Sequence, residues 1–269
     1  MSGPARREPT TIGPGLSGWR SGPRHAGTVV LLVHGAMDRS ASFTRLARRL
    51  CEATVPDGAE VSVVAYDRRG YDNSLALGPG TIDQHAEDLT AVVVELAPSR
   101  VVVLGHSLGG TVAVRAVDRG LDPFAVAVFE SPLPQLPSYR NDLAAAALDA
   151  ATSGGPTAAA ERFSRAVLGD RAWERLRPEI RSARRAEGAA LCAELASLTD
   201  LPVLNWPPLR PAAVGRGELS GDHYRDTAVE TAALFGGGDV TVLAGAGHGA
   251  HLSHPDGVAA WLGRLVAPV

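Results

Sequence analysis

The chain has 269 residues, 45% of them hydrophobic and 20% charged, with a formal net charge of −3. That length suits one large α/β domain with room for an insertion, and the charge gives no reason to expect nucleic acid or an anionic membrane as a partner. Its two cysteines, Cys51 and Cys192, are too few and too far apart for a disulfide framework or a thiolate metal site, so a reducing compartment is expected. Residues 1–27 are rich in Pro, Gly, Arg and Ser and lack the apolar core of a signal peptide. No apolar run approaches the ~20 residues of a membrane span. The expectation is a cytoplasmic protein acting on a small-molecule substrate.

Residues 1–10 read as a tail, and Thr11 to Gly22 as a short glycine-broken hairpin at a sheet edge. Thr28 to Val33 is a buried strand that ends in His34-Gly35-Ala36-Met37-Asp38. A helix over Ser42 to Ala53 and a strand over Val61 to Ala65 follow. Thr81 with Gln84 fits a capping box and opens a helix to Leu96, stopped by Pro98. Strands at Val101 to Leu104 and Ala125 to Phe129 flank a helix ending near Arg119.

From Leu133 to Pro211 the strand signals vanish, and amphipathic segments take over at Asn141–Ala151, Ala158–Leu168, Ala172–Leu176 and Glu179–Ser197. Strand–helix alternation then resumes with Ala212–Val214, Tyr224–Leu234, Val240–Ala244 and a last helix to Val266, with Ser253 as its expected cap. Such alternation implies a mostly parallel sheet with helices on both faces. The expected division is a tail and edge hairpin over 1–27, an α/β core over 28–132 and 211–269, and a helical insertion over 133–210.

The chemistry centres on Gly105-His106-Ser107-Leu108-Gly109, which matches G-x-S-x-G between a strand and a helix. A serine at the apex of a cramped turn projects its hydroxyl above the sheet, and the N–H groups that follow open a helix N-terminus suited to an oxyanion. Leu108 N–H is one candidate donor, and Ala36 N–H, with Met37 as fallback, is the second. Serine needs a base to take its proton. His248 lies just past the last strand in a glycine-flanked loop and fits that role. His251 and His254 follow at three-residue steps but lack the acid ligand and scaffold of a metal set, so neither metal nor cofactor is expected. An acid should orient the imidazole. Glu130 closes the strand beside the elbow strand, while Asp222, Glu218 and, more weakly, Asp226 follow the next one. His34, His106 and Trp206 are candidate substrate contacts. Leu136, Phe163, Trp173 and Leu195 are further apolar residues available to roof a pocket.

The order His34-Gly35, then Tyr66-Asp67-Arg68-Arg69-Gly70-Tyr71-Asp72-Asn73-Ser74, then Gly-His-Ser-Leu-Gly-Gly, then Gly247-His248 resembles the α/β-hydrolase superfamily from about residue 28 onward. The resemblance implies a helix-flanked, mostly parallel sheet with a helical cap. It also implies a Ser107 nucleophile, a His248 base, and Ala36 and Leu108 as oxyanion donors. Asp67 and Arg68 then belong to a structural loop. The family often writes Gly-x-x-Asp after the penultimate strand, but here Gly217-Glu218-Leu219-Ser220 puts serine at that place. Phe129-Glu130 resembles members that carry the acid one strand earlier, which favours Glu130 over Asp222. The implied activity is cofactor-independent cleavage of an ester or related acyl bond of a small, largely apolar substrate. Acyl transfer, lyase chemistry, C–C bond cleavage and non-catalytic ligand binding are the alternatives on the same scaffold.

Overall fold

Parallel strands covered on both faces should be apolar throughout rather than alternating, and β3 (Thr28–Val33), β4 (Val61–Tyr66) and β6 (Ala125–Phe129) are buried at every position. In a computed structural model, which describes residues 7–52, 60–140, 142–203 and 211–266, these strands sit at the middle of one sheet. The remaining strands are β1 (Glu8–Ile12), β2 (Leu16–Ser21), β5 (Arg100–His106), β7 (Ala212–Gly217) and β8 (Val240–Leu243). Their order is β1-β2-β4-β3-β5-β6-β7-β8. Only the β1–β2 and β2–β4 pairings are antiparallel. The edge hairpin is therefore present, although it starts at Glu8, inside the stretch expected to be tail.

Side chains alternate across the sheet. Val29, Leu31 and Val33 of β3 join one core layer with α2 (Ile82–Leu96), α3 (Leu108–Asp118) and α8 (Asp222–Leu234). Val30 and Leu32 face a second layer built with α1 (Thr44–Glu52) and α10 (Pro255–Val266). Both halves of the Thr81–Gln84 capping box are formed. Ser253 does not cap α10. It ends the short α9 (Ala250–Ser253), and its hydroxyl donates to the Gly249 carbonyl at 3.2 Å.

Between β6 and β7 the described residues hold only helices. The first two expected segments are the two arms of α4 (Asp142–Leu168), which meet at a non-helical kink at Gly155, whose φ of 70° precedes Pro156. The short α5 (Asp170–Arg175) follows. The single helix expected over Glu179–Ser197 is instead two, α6 (Pro178–Ala186) and α7 (Gly188–Thr199). They part at Glu187, whose carboxylate accepts Asp72 N–H at 3.1 Å and pairs with Arg39 at 3.3 Å. Bonding to the loops below the insert fixes the break there. None of the described helices is long and apolar enough to cross a membrane.

The insert is tied to the sheet by a buried ion pair. Glu194 of α7 accepts Arg68 Nη1–H at 2.7 Å and the Tyr71 hydroxyl at 2.5 Å, with His85 Nε2 at 3.5 Å. Burial alone would raise the Glu194 carboxyl, but the Arg68 charge and the His85 contact outweigh it and bring it down to about 2. A carboxyl lowered by folding stabilises the native state above its unfolded value of ~4.3, and the contribution fades as pH falls toward the folded value. Glu194→Gln should therefore cost about 3 kcal/mol in urea unfolding at neutral pH, since it leaves Arg68 buried without its counter-charge. The gap to the wild type should narrow as the pH falls from about 4 to about 2.

Candidate active site

The register of the sheet decides where the chemistry lands. His106 of β5 pairs with Phe129 of β6, and Phe129 with Gly215 of β7. The residues just past the first pair are Ser107 and Glu130, so hydroxyl and carboxylate emerge side by side at the carboxyl end of the sheet, where open α/β sheets bind ligands. Both residues have left-handed backbone, with φ of 51° at Ser107 and 50° at Glu130. Non-glycine residues hold such angles only where their surroundings enforce them, and these cluster at functional sites. Here Ser107 N–H donates to the Phe129 carbonyl at 2.8 Å, and Glu130 N–H to the Gly215 carbonyl at 3.2 Å.

The turn is too crowded for side chains. A Cβ on Gly109 would lie 2.2 Å from the Val33 carbonyl oxygen, and one on Gly35 would lie 2.9 Å from Ser107 Cβ. Ser107 occupies the N-cap position of α3. It lines a cavity of about 570 Å³ together with Ala36, Leu108 and Glu130. Met37, the fallback donor, is buried against the insert's apolar cluster, also with positive φ. Phe163 of α4 and Leu195 and Leu198 of α7 form the apolar wall opposite.

Glu130 is buried and holds two partners. Gly217 N–H donates to Oε1 at 2.7 Å, and His248 Nδ1 meets Oε2 at 2.7 Å. A carboxylate only accepts, so Nδ1 carries the proton and Nε2 is left as the basic nitrogen. The His248 ring lies 4.7 Å from the His106 ring, next door to Ser107 in sequence. No hydrogen bond joins the Ser107 hydroxyl to His248 in this structure.

The rival acids do other things. Asp222 is the first residue of α8, is largely exposed and pairs with Arg225 at 3.1 Å. It reaches the cavity wall but not His248. Glu218 accepts Gly245 N–H at 2.8 Å, and Asp226 contacts Arg225 at 3.2 Å.

The three candidate substrate contacts fare differently. His34 is fully buried and away from the cavity. Its Nε2 accepts Arg68 N–H at 2.9 Å. Burial and then the Arg68 charge lower it to about 4, so it is neutral and structural. His106 is also buried off the cavity wall. Trp206 lies outside the described residues. Leu136 belongs to the core against the sheet, and Trp173 is buried within the insert between Arg165 and Arg185.

Tyr224 is a contact that the sequence did not disclose. It lines the cavity and stacks on the His248 ring, with centroids 4.9 Å apart and planes at 22°. Burial, and then the Glu130 charge, push its hydroxyl up to about 12. Its place at the start of α8, two residues after Asp222, was the available signal.

Comparison with known proteins identifies the family of the fold. A family model described as the alpha/beta hydrolase family matches residues 30–261. Lipase LipV of Mycobacterium tuberculosis is 32% identical over 111 residues, which is 41% of this chain and 40% of that protein. The chain thus matches about two fifths of that relative's length. A thermophilic esterase from Thermogutta terrifontis superposes with a TM-score of 0.70 at 21% identity, covering 97% of this chain and 99% of that one. A 2-hydroxy-6-oxo-6-phenylhexa-2,4-dienoate hydrolase from Rhodococcus gives 0.70 at 19% identity with the same coverage. By the extent of the family match, the chain belongs to the alpha/beta hydrolase family.

Proposed function

We propose that the protein is a serine hydrolase that cleaves a carboxylic ester, or a related acyl bond, of a small and largely apolar substrate. The observation that carries this reading is the 2.7 Å contact of His248 Nδ1 with the buried Glu130 carboxylate, beside a serine on a strained turn. Glu130 holds the tautomer in which His248 Nε2 can take a proton, and it stabilises the imidazolium that results. The glycine-flanked loop 245–249 brings the ring to the hydroxyl once substrate is bound, because such catalytic bonds tighten only in the complex.

Ser107 Oγ then adds to the substrate carbonyl as its proton passes to His248. Ala36 and Leu108 N–H receive the developing oxyanion. The leaving alcohol departs with the proton returned by His248, and water repeats the cycle to release the acid. The helical insert serves as a cap. Its Phe163, Leu195 and Leu198 supply the apolar side of the cavity, whose volume of about 570 Å³ suits a compact acyl group and alcohol.

With a short p-nitrophenyl ester the wild type should show a burst equal to the enzyme concentration. Ser107→Ala should abolish the burst and lower kcat about 10⁴-fold or more. Unchanged turnover in that variant would remove the proposal. For the acid, Glu130→Gln should lower kcat about 10³-fold to 10⁴-fold by allowing the wrong tautomer. Asp222→Asn should stay near the wild type, and a reversal of those two results would transfer the role to Asp222.

A further inference from the structure

Beneath the nucleophile lies a second polar group that the proposed reaction does not use. Asp38 sits two residues past Ala36, on the loop after β3. Its Oδ2 accepts the Ser42 hydroxyl at 3.0 Å and lies 3.4 Å from His251 Nε2. The His251 ring is buried, 5.0 Å from Phe43 and 4.3 Å from His106. His106 in turn meets the backbone carbonyl of His248 through Nε2 at 2.8 Å. A carbonyl only accepts, so Nε2 bears the hydrogen and Nδ1 is a bare lone pair inside the protein. That lone pair has no hydrogen-bond partner among the described residues, and neither ring nitrogen of His251 makes a well-aligned bond. Buried polar atoms of this kind call for an explanation.

We infer that Asp38, His251 and His106 form a carboxylate–imidazole–imidazole chain, joined by the 3.4 Å Asp38–His251 contact and the 4.3 Å approach of the two buried rings, that holds the three reacting loops in register. Each member is fastened beside a different proposed catalytic group. Asp38 belongs to the loop that offers Ala36 N–H, His106 precedes Ser107, and the His248 carbonyl terminates the chain on the loop of the base. The inference rests on the reading of these loops as a serine hydrolase site. None of the three side chains lines the cavity, so they are positioning residues. Their surroundings set the charges. Burial would raise the Asp38 carboxyl, but the contact and charge of His251 hold it well below the usual carboxylate range. Burial, and then the neighbouring His251 and His248, keep His106 neutral. Reacting groups must be held to a fraction of an ångström, and a distant shift of about 1 Å can cost 10²-fold in rate.

The test uses His251→Phe, which keeps ring packing against Phe43, and Asp38→Asn, alone and together. Each single variant should lower kcat on the p-nitrophenyl ester about tenfold or more, with KM within about twofold. The double variant should be no worse than the poorer single one, because one chain is broken once. Nitrogen-15 NMR of the full-length wild type should show His106 as the Nε2–H tautomer, a readout that does not depend on ester turnover. If the wild type fails to turn over esters while His106 shows that tautomer and loses it in His251→Phe, the proposed reaction falls and the chain stands. Unchanged kcat in both single variants, or an Nδ1–H tautomer at His106, would overturn the inference. So would a divalent metal retained in stoichiometric amount after dialysis, because the donor atoms of these three residues lie within 4.8 Å of one another.

Discussion

The site depends on one buried carboxylate. Glu130 sits at a left-handed backbone angle, is shielded from solvent, and spends its two oxygens on a β7 amide and on the His248 ring. An ionised carboxylate is costly to bury unless such partners are in place. Strand register provides them. Because His106 is paired with Phe129 and Phe129 with Gly215, the ends of β5, β6 and β7 arrive at one edge together. Every other feature of the site is arranged around that edge.

The insert acts on the same edge from above. Arg184 of α6 donates to the Met37 carbonyl, next to Ala36 in the loop after β3, and Met37 itself has a φ of 53°. Glu187, the residue after α6, pairs with Arg39 in that loop, and Arg68 binds Glu194 beneath α7. The apolar cavity wall and the loop after β3 are thus joined through charged contacts rather than by the chain alone. Strained non-glycine backbone persists only where such surrounding contacts over-determine it.

How much of this was legible follows from the range of each interaction. The elbow was readable because one of its glycines is required by a clash within a few residues: a Cβ on Gly105 would lie 2.3 Å from Gly110 Cα. The parallel core was readable from uniform burial of strands such as β3. The end of β6 made Glu130 a candidate, because adjacent strands finish at a common edge, and its resemblance to members that carry the acid one strand earlier favoured it over Asp222. The assignments that failed concern groups whose roles are set by distant packing. His34 and His106 sit close to Ser107 in sequence or topology, yet both turn into the protein to bond backbone groups. The stacking of Tyr224 on His248, the Asp38–His251 contact and the break at Glu187 arise between segments far apart in the chain. No local pattern of residues encodes them.

The central claim is that Glu130 fixes the proton on His248 Nδ1. Low-field proton NMR at reduced temperature reads that proton directly, as a resonance well downfield of the amide envelope. The account predicts that this signal is present in the wild type and in Asp222→Asn and absent in Glu130→Gln. A signal that survives in Glu130→Gln and vanishes in Asp222→Asn would contradict it.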